Sequence, residues 1–547
     1  RVSDRPDLAQ FQCNGALPAA KQLGKNPREV AQSVVDALSG RPEFAKLEIA
    51  GPGFINITLT DDFIAAHLAE TGRKETVVER TGAGQTVVLD YGGPNIAKAM
   101  HVGHLRSSII GDALRRMCLF AGYNALGDVH MGDWGTPMGQ IISELEIRNP
   151  EWPYFDGAFT GPYPAESPVT MADLEVIYPA ASNACKEDPA RLERARRATL
   201  ELQDGRPGYR ALWNHFIAVS IAGMKGNFEA LGVRFDLWKG EADSHPFIAP
   251  MVDNLKKRGL AVENDGAVVV PVEQEGDKKE MPPLILYKSD GAVMYGTTDL
   301  ATIVERMQTY TPAKILYIVD QRQSLHFEQV FRAARKSGIA PESTELTHAG
   351  FGTMNGPDGK PFKTRAGGVM KLEDLIQMGV DKATARLAEA DIAKDFDEAE
   401  KADIAHKVAI AAIKFADLQN NRAADYVFDL DRMTSFEGKT GPYLRKADYA
   451  PAANPAFILQ DPDRPLALLL TEFPDHFAGA LAHYTPHILC DYVFKLAQAF
   501  STFYGQCHIL SEPDQALRAS RLALCAATAQ MIETCLGLLG IDIPERM

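Results

Sequence analysis

One run of the chain, residues 86–116, constrains the fold more than any other part of the sequence. Its first five residues, Thr86 to Asp90 (TVVLD), are mostly apolar and β-branched, as in a buried parallel strand. A Gly-Gly-Pro turn at 92–94 then breaks the strand, and from about Gly103 apolar residues recur at helical spacing. This order of strand, glycine loop and helix predicts an α/β fold with a doubly wound parallel sheet of Rossmann type.

The segment His101-Val102-Gly103-His104 lies at the predicted junction of loop and helix. In open α/β sheets this junction binds phosphate, because a helix N-terminus offers unpaired amides and a partial positive charge. Two imidazoles three residues apart can both donate to phosphate oxygens, and Gly103 lets a flat base lie against the backbone. Spacing alone leaves an alternative open, in which two surface histidines cap the helix.

The residues around this segment carry a family resemblance. Residues 94–107 (PNIAKAMHVGHLRS) resemble the HIGH signature of the class I aminoacyl-tRNA synthetases, in the version found in arginyl-tRNA synthetases. The resemblance implies an arginine–tRNA ligase, which uses ATP to convert L-arginine to arginyl-adenylate and transfers it to the 3′-terminal ribose of tRNA(Arg). It implies that His101, Gly103 and His104 bind ATP, that both histidines act in catalysis, and that Mg²⁺ accompanies ATP.

A second group of residues suggests a site for the substrate arginine. Tyr295 and Asp299 are four residues apart, so on a helix they share one face and present a hydroxyl and a carboxylate together. A guanidinium carries only donors and therefore needs such acceptors. A helix-dipole role for the acidic residue is the alternative. The resemblance implies an arginine-binding set of five residues, with Gln321 close to its last member: Asp90, Asn95, Tyr295, Asp299 and Gln323.

A glycine-rich basic loop, residues 350–368 (GFGTMNGPDGKPFKTRAGG), occupies the place of the KMSKS loop of class I synthetases. Such a loop can close over a triphosphate, and Lys360, Lys363 and Arg365 would then contact ATP, with Lys363 catalytic. The motif lacks its second lysine, and the resemblance implies that Lys98, just before the HIGH segment, compensates for it in catalysis. His326, which follows the predicted strand at 314–320, could contact the adenosine or pack beneath it.

A further turn, residues 130–135 (HMGDWG), resembles the GDWG turn of the same family. Its glycines permit a tight bend at the end of a strand, which would direct His130 and Asp133 into the cleft. A purely structural turn is the alternative for Asp133.

The pattern of elements predicts three domains. Residues 1–78 read as a small α+β domain that the resemblance assigns to tRNA contact, with a helix near 27–38 and strands near 46–49 and 53–59. Residues 79–375 are the Rossmann-like catalytic domain, interrupted by an insertion at about 150–283. Residues 376–547 read as an all-α bundle, which resembles an anticodon-binding domain.

Two parts of the catalytic region are read from pattern alone. Residues 284–291 (LILYKSDG) are interpreted as a strand running into a polar turn, and this strand is predicted to resume the parallel sheet after the insertion. An arginine-rich helix at 191–210 could face the tRNA acceptor end, but we favour a solvated face paired with Glu187, Glu193 and Glu201.

Composition limits the class of protein. The chain has 547 residues, a net charge of −15 and no apolar run near the ~18 to 20 residues of a membrane span. Its seven cysteines lack CxxC spacing, so we expect no zinc site and no disulfide framework. We expect a cytoplasmic enzyme without membrane partners, and the resemblance implies a monomer. Because the chain starts with Arg1, we also expect a short N-terminal piece to be missing.

Two rival functions remain open on sequence. A small-molecule nucleotidyltransferase of the same HxGH superfamily would usually lack the long helical C-terminal region. A tRNA-binding module that has lost catalysis would not need His101, His104 or the acidic arginine-pocket set, although the degenerate loop around Lys363 is compatible with it.

Overall fold

The computed structural model describes residues 3, 5, 8–71, 78–289, 291–356, 358–360, 370–389, 396–429 and 457–544. The chain divides into two compact units. The first comprises the described parts of Arg1–Glu79, Gly438–Gly479 and Asp491–Cys535, and the second those of Arg80–Glu437, Ala480–Cys490 and Leu536–Met547. Among these residues, no helix combines the length and hydropathy needed to cross a membrane.

The N-terminal part of the first unit is a small α+β structure, as predicted. Its elements are β1 (Phe11–Cys13), α1 (Ala16–Leu23), α2 (Pro27–Leu38), β2 (Phe44–Ala50), β3 (Phe54–Leu59) and α3 (Asp61–Thr71). The strands form an antiparallel sheet in the order β1-β3-β2. The side chain of Asn26 accepts a hydrogen bond from the amide of Arg28, and Pro27 opens α2, which explains why that helix begins where the sequence predicts.

The second unit contains the catalytic region. From Thr86 to Tyr310 its elements are β4 (Thr86–Asp90), α4 (Gly103–Phe120), β5 (Asn124–Asp128), α5 (Thr136–Arg148), α6 (Met171–Glu187), α7 (Pro189–Gln203), α8 (Pro207–Ala230), α9 (Glu241–Lys257), β6 (Val262–Asn264), β7 (Ala267–Val270), β8 (Leu284–Tyr287) and α10 (Tyr295–Tyr310). Strand β4 and helix α4 confirm the strand, glycine loop and helix predicted from the sequence.

The remaining elements follow in chain order. They are β9 (Lys314–Tyr317), α11 (Ser324–Ser337), β10 (Glu345–His348), β11 (Met354–Asn355), α12 (Leu372–Glu389), α13 (Glu398–Leu418), β12 (Tyr426–Val427), α14 (Arg464–Thr471), α15 (Phe473–Ala482), α16 (His487–Gln506) and α17 (Gln515–Leu538). The described part of the chain beyond Leu372 is thus almost entirely helical, as the sequence pattern predicts.

A parallel sheet organises the second unit. Its strand order is β10-β9-β4-β5, and every pairing in it is parallel. The central strand β4 is almost completely buried, with Val87, Val88 and Leu89 inaccessible to solvent. Because parallel strands end at a common edge, the loops after β4, β5 and β9 lie beside one another.

The prediction for residues 284–287 is correct in position but wrong in partner. Strand β8 pairs antiparallel with β7, in a separate sheet of order β6-β7-β8, and does not extend the parallel sheet. Its apolar residues Leu284 and Leu286 pack instead into a core with α9, α10 and α11. A short apolar strand has the same pattern in either environment, so its sequence did not distinguish them.

The arginine-rich region at 191–210 forms two helices, α7 and α8, which are separated at Gly205 with its positive φ of 92°. The preferred interpretation of paired arginines is confirmed for Arg196 and Arg197, which lie within 4 Å of Glu193 and Glu201. Arg191 and Arg194 instead pair with Glu144 and Glu146 of α5.

A buried ion pair fixes α4 against α13. The guanidinium of Arg106 lies 3.1 Å from the carboxylate of Asp417, which also accepts a hydrogen bond of 3.0 Å from the hydroxyl of Tyr426. The same guanidinium donates to the backbone carbonyls of Gly352 and Ala424. The helix that begins at the HVGH segment is therefore tied to the chain that leads into the glycine-rich loop.

Candidate active site

The glycines after β4 are required by the backbone. Gly92 and Gly93 have φ angles of 86° and 45°, in the left-handed region that side chains disfavour. The amide of Gly92 donates to the hydroxyl of Ser107 at 2.8 Å, and this hydroxyl donates to the carbonyl of Ile318 at 2.7 Å. Ser107 of α4 thus joins the loop after β4 to the end of β9, and the predicted turn is confirmed.

The rings of the two histidines in the HVGH segment lie against each other, with their planes tilted by 33°. Their ring centroids are 4.0 Å apart. The amide of His101 donates to Nδ1 of His104, and the amide of Gly103 donates to Nδ1 of His101, each at 3.1 Å. Since Nδ1 is an acceptor in both rings, a neutral ring carries its proton on Nε2. The backbone therefore sets the tautomer that makes each Nε2–H a hydrogen-bond donor.

The surroundings keep both rings neutral. Burial lowers the pKa of His104 to about 3, with smaller contributions from the charges of His101 and Lys98. The pKa of His101 is also lowered, first by burial and then by the positive charge of Lys98. At neutral pH the segment therefore presents two uncharged imidazole donors at the N-terminus of α4.

The far end of the glycine-rich loop is anchored on the HVGH segment. The amide of Val102 donates to the carbonyl of Met370, and the amide of Leu372 donates to that of Met100, each at 3.0 Å. These bonds form a bridge between His101 and Lys371. Lys360, in the first half of the loop, is exposed. The predicted residues Lys363 and Arg365 lie outside the described residues.

Lys98 lies three residues before His101, in the same loop. Its side chain is half-buried, and its ammonium nitrogen is 4.5 Å from the centroid of the Tyr178 ring on α6. The preceding residue, Ala97, has a φ of 60°, and its amide donates to the hydroxyl of Ser220 on α8 at 2.8 Å.

The structure brings together three residues that were predicted to bind arginine and ATP. The Nε2 atom of His326 is 2.5 Å from a carboxylate oxygen of Asp299, and the ring centroids of Tyr295 and His326 are 4.7 Å apart. Tyr295 opens α10 and is 62% exposed. The prediction that Tyr295 and Asp299 share one helix face is confirmed, and it is the start of α11 that adds His326 to them.

Two other predicted residues lie on the surrounding loops. Gln323 is exposed in the short 3-10 turn just before α11, three residues from His326. Asn95 is exposed beside the turn after β5, where its backbone bridges to that of Gly132. A Cβ atom on Gly132 would lie only 2.2 Å from the amide oxygen of Asn95, which explains the glycine at that position.

The carboxylate of Asp90 is already engaged by a cation of this chain. Nη2 of the buried Arg306 donates to Asp90 at 2.6 Å and to Asp128 at 2.8 Å. Burial raises the pKa of Asp90, and the charge of Arg306 opposes that rise. Sequence separation hides this arrangement, because Arg306 lies more than 200 residues after Asp90 and carries no motif of its own.

Sequence reasoning missed Glu241, the first residue of α9. Burial raises the pKa of its carboxyl group, and the negative charge of Asp299 raises it further. The charge of Asp299 thus reaches Glu241, and we group both carboxylates with Tyr295 and His326 as the acidic cluster. An isolated Glu at a helix start carries no motif, so nothing in the sequence marked Glu241 beyond its position after Gly240.

In the HMGDWG turn, His130 and Asp133 were predicted to point into the cleft, with a purely structural role as the alternative for Asp133. His130 is nearly buried with a φ of 37°, and both ring nitrogens lack a hydrogen-bond partner among the described residues. Asp133 is buried, and its carboxylate accepts a hydrogen bond of 3.0 Å from the amide of Ala242 near the start of α9. Burial raises the pKa of Asp133 to about 7. The structural interpretation of Asp133 therefore holds.

No set of three or more His, Cys, Asp or Glu side chains is placed to hold a metal ion in the described part of the chain. None of the seven cysteines forms a disulfide with another. At the sheet edge, the described residues present neutral imidazole donors on one side and oxygen acceptors on the other.

Family comparisons match the chain along its length. Residues 65–430 match the family described as tRNA synthetases class I (R), catalytic domain. Residues 1–59 match the arginyl tRNA synthetase N terminal domain, and residues 443–547 match the DALR anticodon binding domain.

Individual proteins give the same picture. The chain is 51% identical to an arginine–tRNA ligase of Hyphomonas neptunium, over 100% of this chain and 95% of that protein. It is 51% identical to the arginine–tRNA ligase of Maricaulis maris, over 99% and 94% of the two chains. The structure is similar to that of arginyl-tRNA synthetase from Plasmodium falciparum, with a TM-score of 0.82 at 26% identity over 99% of this chain and 94% of that one. The fold also matches arginyl-tRNA synthetase from Thermus thermophilus, with a TM-score of 0.78 at 22% identity over 100% and 95% of the chains.

Proposed function

This chain belongs to the arginyl-tRNA synthetase family and carries out its reaction, the ATP-dependent attachment of arginine to tRNA, and we propose how its residues divide that reaction. The observation that carries the proposal is the pairing, at one edge of the parallel sheet, of neutral imidazole donors with an acidic cluster. Donors suit the phosphates of ATP, and acceptors suit a guanidinium.

In the first step the carboxylate of arginine attacks the α-phosphate of ATP, which forms arginyl-adenylate and releases pyrophosphate. The Nε2–H groups of His101 and His104 donate to phosphate oxygens as negative charge develops on them. Neutral rings suit this role, because their donors are fixed by backbone hydrogen bonds and need no reorganisation during the reaction. Gly103 allows the adenosine to approach the start of α4.

The basic residues around the triphosphate complete the phosphate site. We assign Lys98 to the phosphates from one side, and Lys360, Lys363 and Arg365 to ATP from the glycine-rich loop. The bridge between His101 and Lys371 supports this assignment, because it anchors the far end of the loop beside the imidazoles. Lys98 and Lys363 would then together supply the positive charge that stabilises the developing negative charge on the phosphates.

The acidic cluster binds the guanidinium of the substrate. Tyr295, Asp299 and Glu241 supply oxygen acceptors, and Gln323 and Asn95 contribute polar contacts from the adjoining loops. His326, which is hydrogen-bonded to Asp299, contacts the adenosine from the acidic side. Asp90 stays in the proposed arginine-binding set on the family resemblance alone, because its carboxylate is already paired with Arg306.

In the second step the terminal ribose hydroxyl of tRNA(Arg), by family analogy the 2′-OH, attacks the carbonyl carbon of the adenylate and releases AMP. Binding of the anticodon is assigned to the helical C-terminal region. Among five aromatic residues of this region, Tyr504 is 64% exposed, whereas Tyr484, Tyr492, Phe500 and Phe503 are buried. Tyr504 is therefore the candidate for stacking on an anticodon base.

Magnesium is assigned to the nucleotide. The described residues offer no three-ligand protein cluster, and Mg²⁺ commonly binds through substrate phosphates with only one or two protein carboxylates. ATP would therefore enter as its magnesium complex, whose metal ion neutralises phosphate charge. Omission of Mg²⁺ is expected to abolish the activity.

The remaining assignments concern organisation. Three domains, 1–78, 79–375 and 376–547, remain our proposal. The family matches to 1–59, 65–430 and 443–547 support their order, and the catalytic match itself continues to residue 430. His101, His104, Asp299 and His326 all belong to one compact unit of one chain, which supports a monomer. We place the enzyme in the cytoplasm, where translation uses charged tRNA. Light scattering and cell fractionation test the last two assignments.

The function is tested by arginine-dependent exchange of labelled pyrophosphate into ATP, with and without tRNA(Arg). Lysine, cysteine and glutamine serve as control amino acids. Exchange with arginine alone, requiring tRNA, is the expected result. Tight binding of tRNA without exchange for any amino acid would instead favour a tRNA-binding module that has lost catalysis.

A further inference from the structure

Helix α6 of the insertion contacts both sides of the HVGH segment. Glu175 and Tyr178 are three residues apart on α6 and therefore share one face. Tyr178 lies 4.5 Å from the ammonium of Lys98, and Glu175 lies 2.8 Å from the ammonium of Lys371. One face of a single helix thus holds two lysines, one in the loop before the HVGH segment and one at the far end of the glycine-rich loop.

These two lysines flank the catalytic histidines. Lys98 precedes His101 by three residues in the same loop, and Lys371 forms a backbone bridge with His101 at the end of the glycine-rich loop. The charge of Lys98 is close enough to lower the pKa of both His101 and His104. The ammonium that contacts Tyr178 therefore lies beside the imidazoles.

The insertion also holds the backbone at this point. The hydroxyl of Ser220 on α8 accepts the amide of Ala97, whose left-handed φ of 60° is uncommon for a residue with a side chain. Helix α8 therefore fixes the backbone that leads into Lys98, while α6 contacts its side chain. An aromatic face attracts an ammonium through its quadrupole, and this attraction holds the cation without neutralising it, as a carboxylate would.

We propose that Tyr178 is a positioning residue for adenylate formation, whose ring holds the ammonium of Lys98 beside the phosphates of ATP. The proposal deepens the function proposed above and depends on the role given there to Lys98. The ring face is the active part of Tyr178, and its hydroxyl is dispensable. The insertion thereby contributes to the chemical step without touching the reacting atoms.

The test compares Tyr178→Leu with Tyr178→Phe in arginine-dependent pyrophosphate exchange in the presence of tRNA. Loss of the ring is expected to lower kcat about tenfold, which corresponds to about 1.4 kcal/mol, with the KM for arginine unchanged. Tyr178→Phe keeps the ring face and is expected to remain within about twofold of the parent enzyme. Val176→Ala, an exposed position on the same helix, is the matched control and is expected to have parent activity.

A double-mutant cycle separates positioning from structural support. In a Lys98→Met background, Tyr178→Leu is expected to cause no further loss, because the cation that the ring holds is gone. An equal loss in both backgrounds would overturn the proposal, as would parent activity in Tyr178→Leu when Lys98→Met is impaired.

Failure of the underlying function gives a different pattern. If the parent enzyme shows no exchange with arginine, the proposed function falls and this inference falls with it. If the parent is active and Lys98→Met is equally active, the arginine–tRNA ligase function stands, and both the role of Lys98 and that of Tyr178 are overturned.

Discussion

The HVGH segment and the acidic cluster lie along the same edge of the parallel sheet, yet they prepare for opposite charges. The HVGH segment presents hydrogen-bond donors whose orientation is set by backbone amides. The acidic cluster presents acceptors from side chains on α9 and α10, and His326 of α11 is hydrogen-bonded to one of them. The proposed phosphate site can therefore be built within one short run of sequence, whereas the proposed guanidinium site requires distant parts of the chain.

Burial has opposite consequences in the two regions. It lowers the pKa of His101 and His104, and so produces the neutral donors that a phosphate needs. It raises the pKa of Glu241, and so disfavours the charge that a guanidinium needs. A cationic substrate would reverse the second effect, because a positive charge nearby favours the ionised carboxylate. The phosphate side is thus prepared in advance, and the acidic side is completed by its substrate.

The largest expected effect is on the phosphate side. His101→Ala removes one preorganised donor and is expected to lower kcat for pyrophosphate exchange by about 10² to 10³-fold. The KM for arginine is expected to stay within about twofold, since the acidic cluster is intact. Steady-state exchange assays measure both constants. His483→Ala, which removes an exposed histidine, is the control, and unchanged exchange in His101→Ala would refute the catalytic assignment.

A smaller effect, of opposite character, is expected on the acidic side. Asp299→Asn keeps the shape of the side chain and an acceptor for His326 but removes the charge that faces the guanidinium. Loss of a charge-assisted hydrogen bond of about 2 to 3 kcal/mol predicts a KM for arginine raised about 50-fold, with the KM for ATP little changed. Glu342→Gln removes an exposed carboxylate and serves as the control. A change confined to the KM for ATP would contradict the assignment of arginine to the acidic cluster.

The third prediction concerns the free energy of unfolding, which should depend on pH because burial raises the pKa of Asp133. Its pKa is about 7 in the folded protein and about 3.8 when unfolded, so the folded chain binds more protons between these values. Stability attributable to Asp133 therefore falls as pH rises from about 4 to about 7 and stays low above that. At about pH 8, Asp133→Asn is expected to stabilise the fold by about 1 to 2 kcal/mol, because an amide can still accept the Ala242 hydrogen bond without a buried charge.

Urea unfolding at about pH 8 and about pH 5 measures this difference. The stabilisation is expected to shrink at the lower pH, where the carboxyl group of the parent is already protonated in the folded chain. A destabilised variant at both pH values would show that the negative charge of Asp133 is needed by the fold.

The smallest expected effect is that the ring of His104 does not change its protonation state near neutral pH. The pKa of His104 is about 3 in the folded protein, so its ring is expected to stay neutral from about pH 8 down to about pH 5. The NMR signals of the His104 ring should not shift with pH in that range. The signals of His483, which is exposed, serve as the reference. Because the unfolded chain takes up this proton near pH 6.5, His104 should also reduce stability as pH falls below that value. Titration of His104 near pH 6.5 would mean that the donors are not held neutral.

The comparison of the two regions also explains what the sequence could predict. Local signals were sufficient for β4, the glycine turn and the start of α4, because strand pattern, positive-φ glycines and helix period all lie within residues 86–116. Tyr295 and Asp299 were found for the same reason, since they are one helical turn apart.

Long-range pairings were not predictable from one sequence. The engagement of Asp90 by Arg306, the approach of Glu241 to Asp299 and the contact of Tyr178 with Lys98 join residues far apart in the chain. None of them leaves a periodic or motif signal, since an ion pair or a ring contact depends on the folded geometry. The antiparallel pairing of β8 was missed on the same grounds.

The most direct test of the division is the binding of L-arginine to His101→Ala and Asp299→Asn, measured by calorimetry in the presence of tRNA(Arg). The account predicts that His101→Ala binds arginine as the parent enzyme does, and that Asp299→Asn binds it about 50-fold more weakly, consistent with the loss of a charged hydrogen bond. Equal weakening in both variants would contradict the account, since it would mean that the two regions form one interdependent site and do not act as separate donor and acceptor sites.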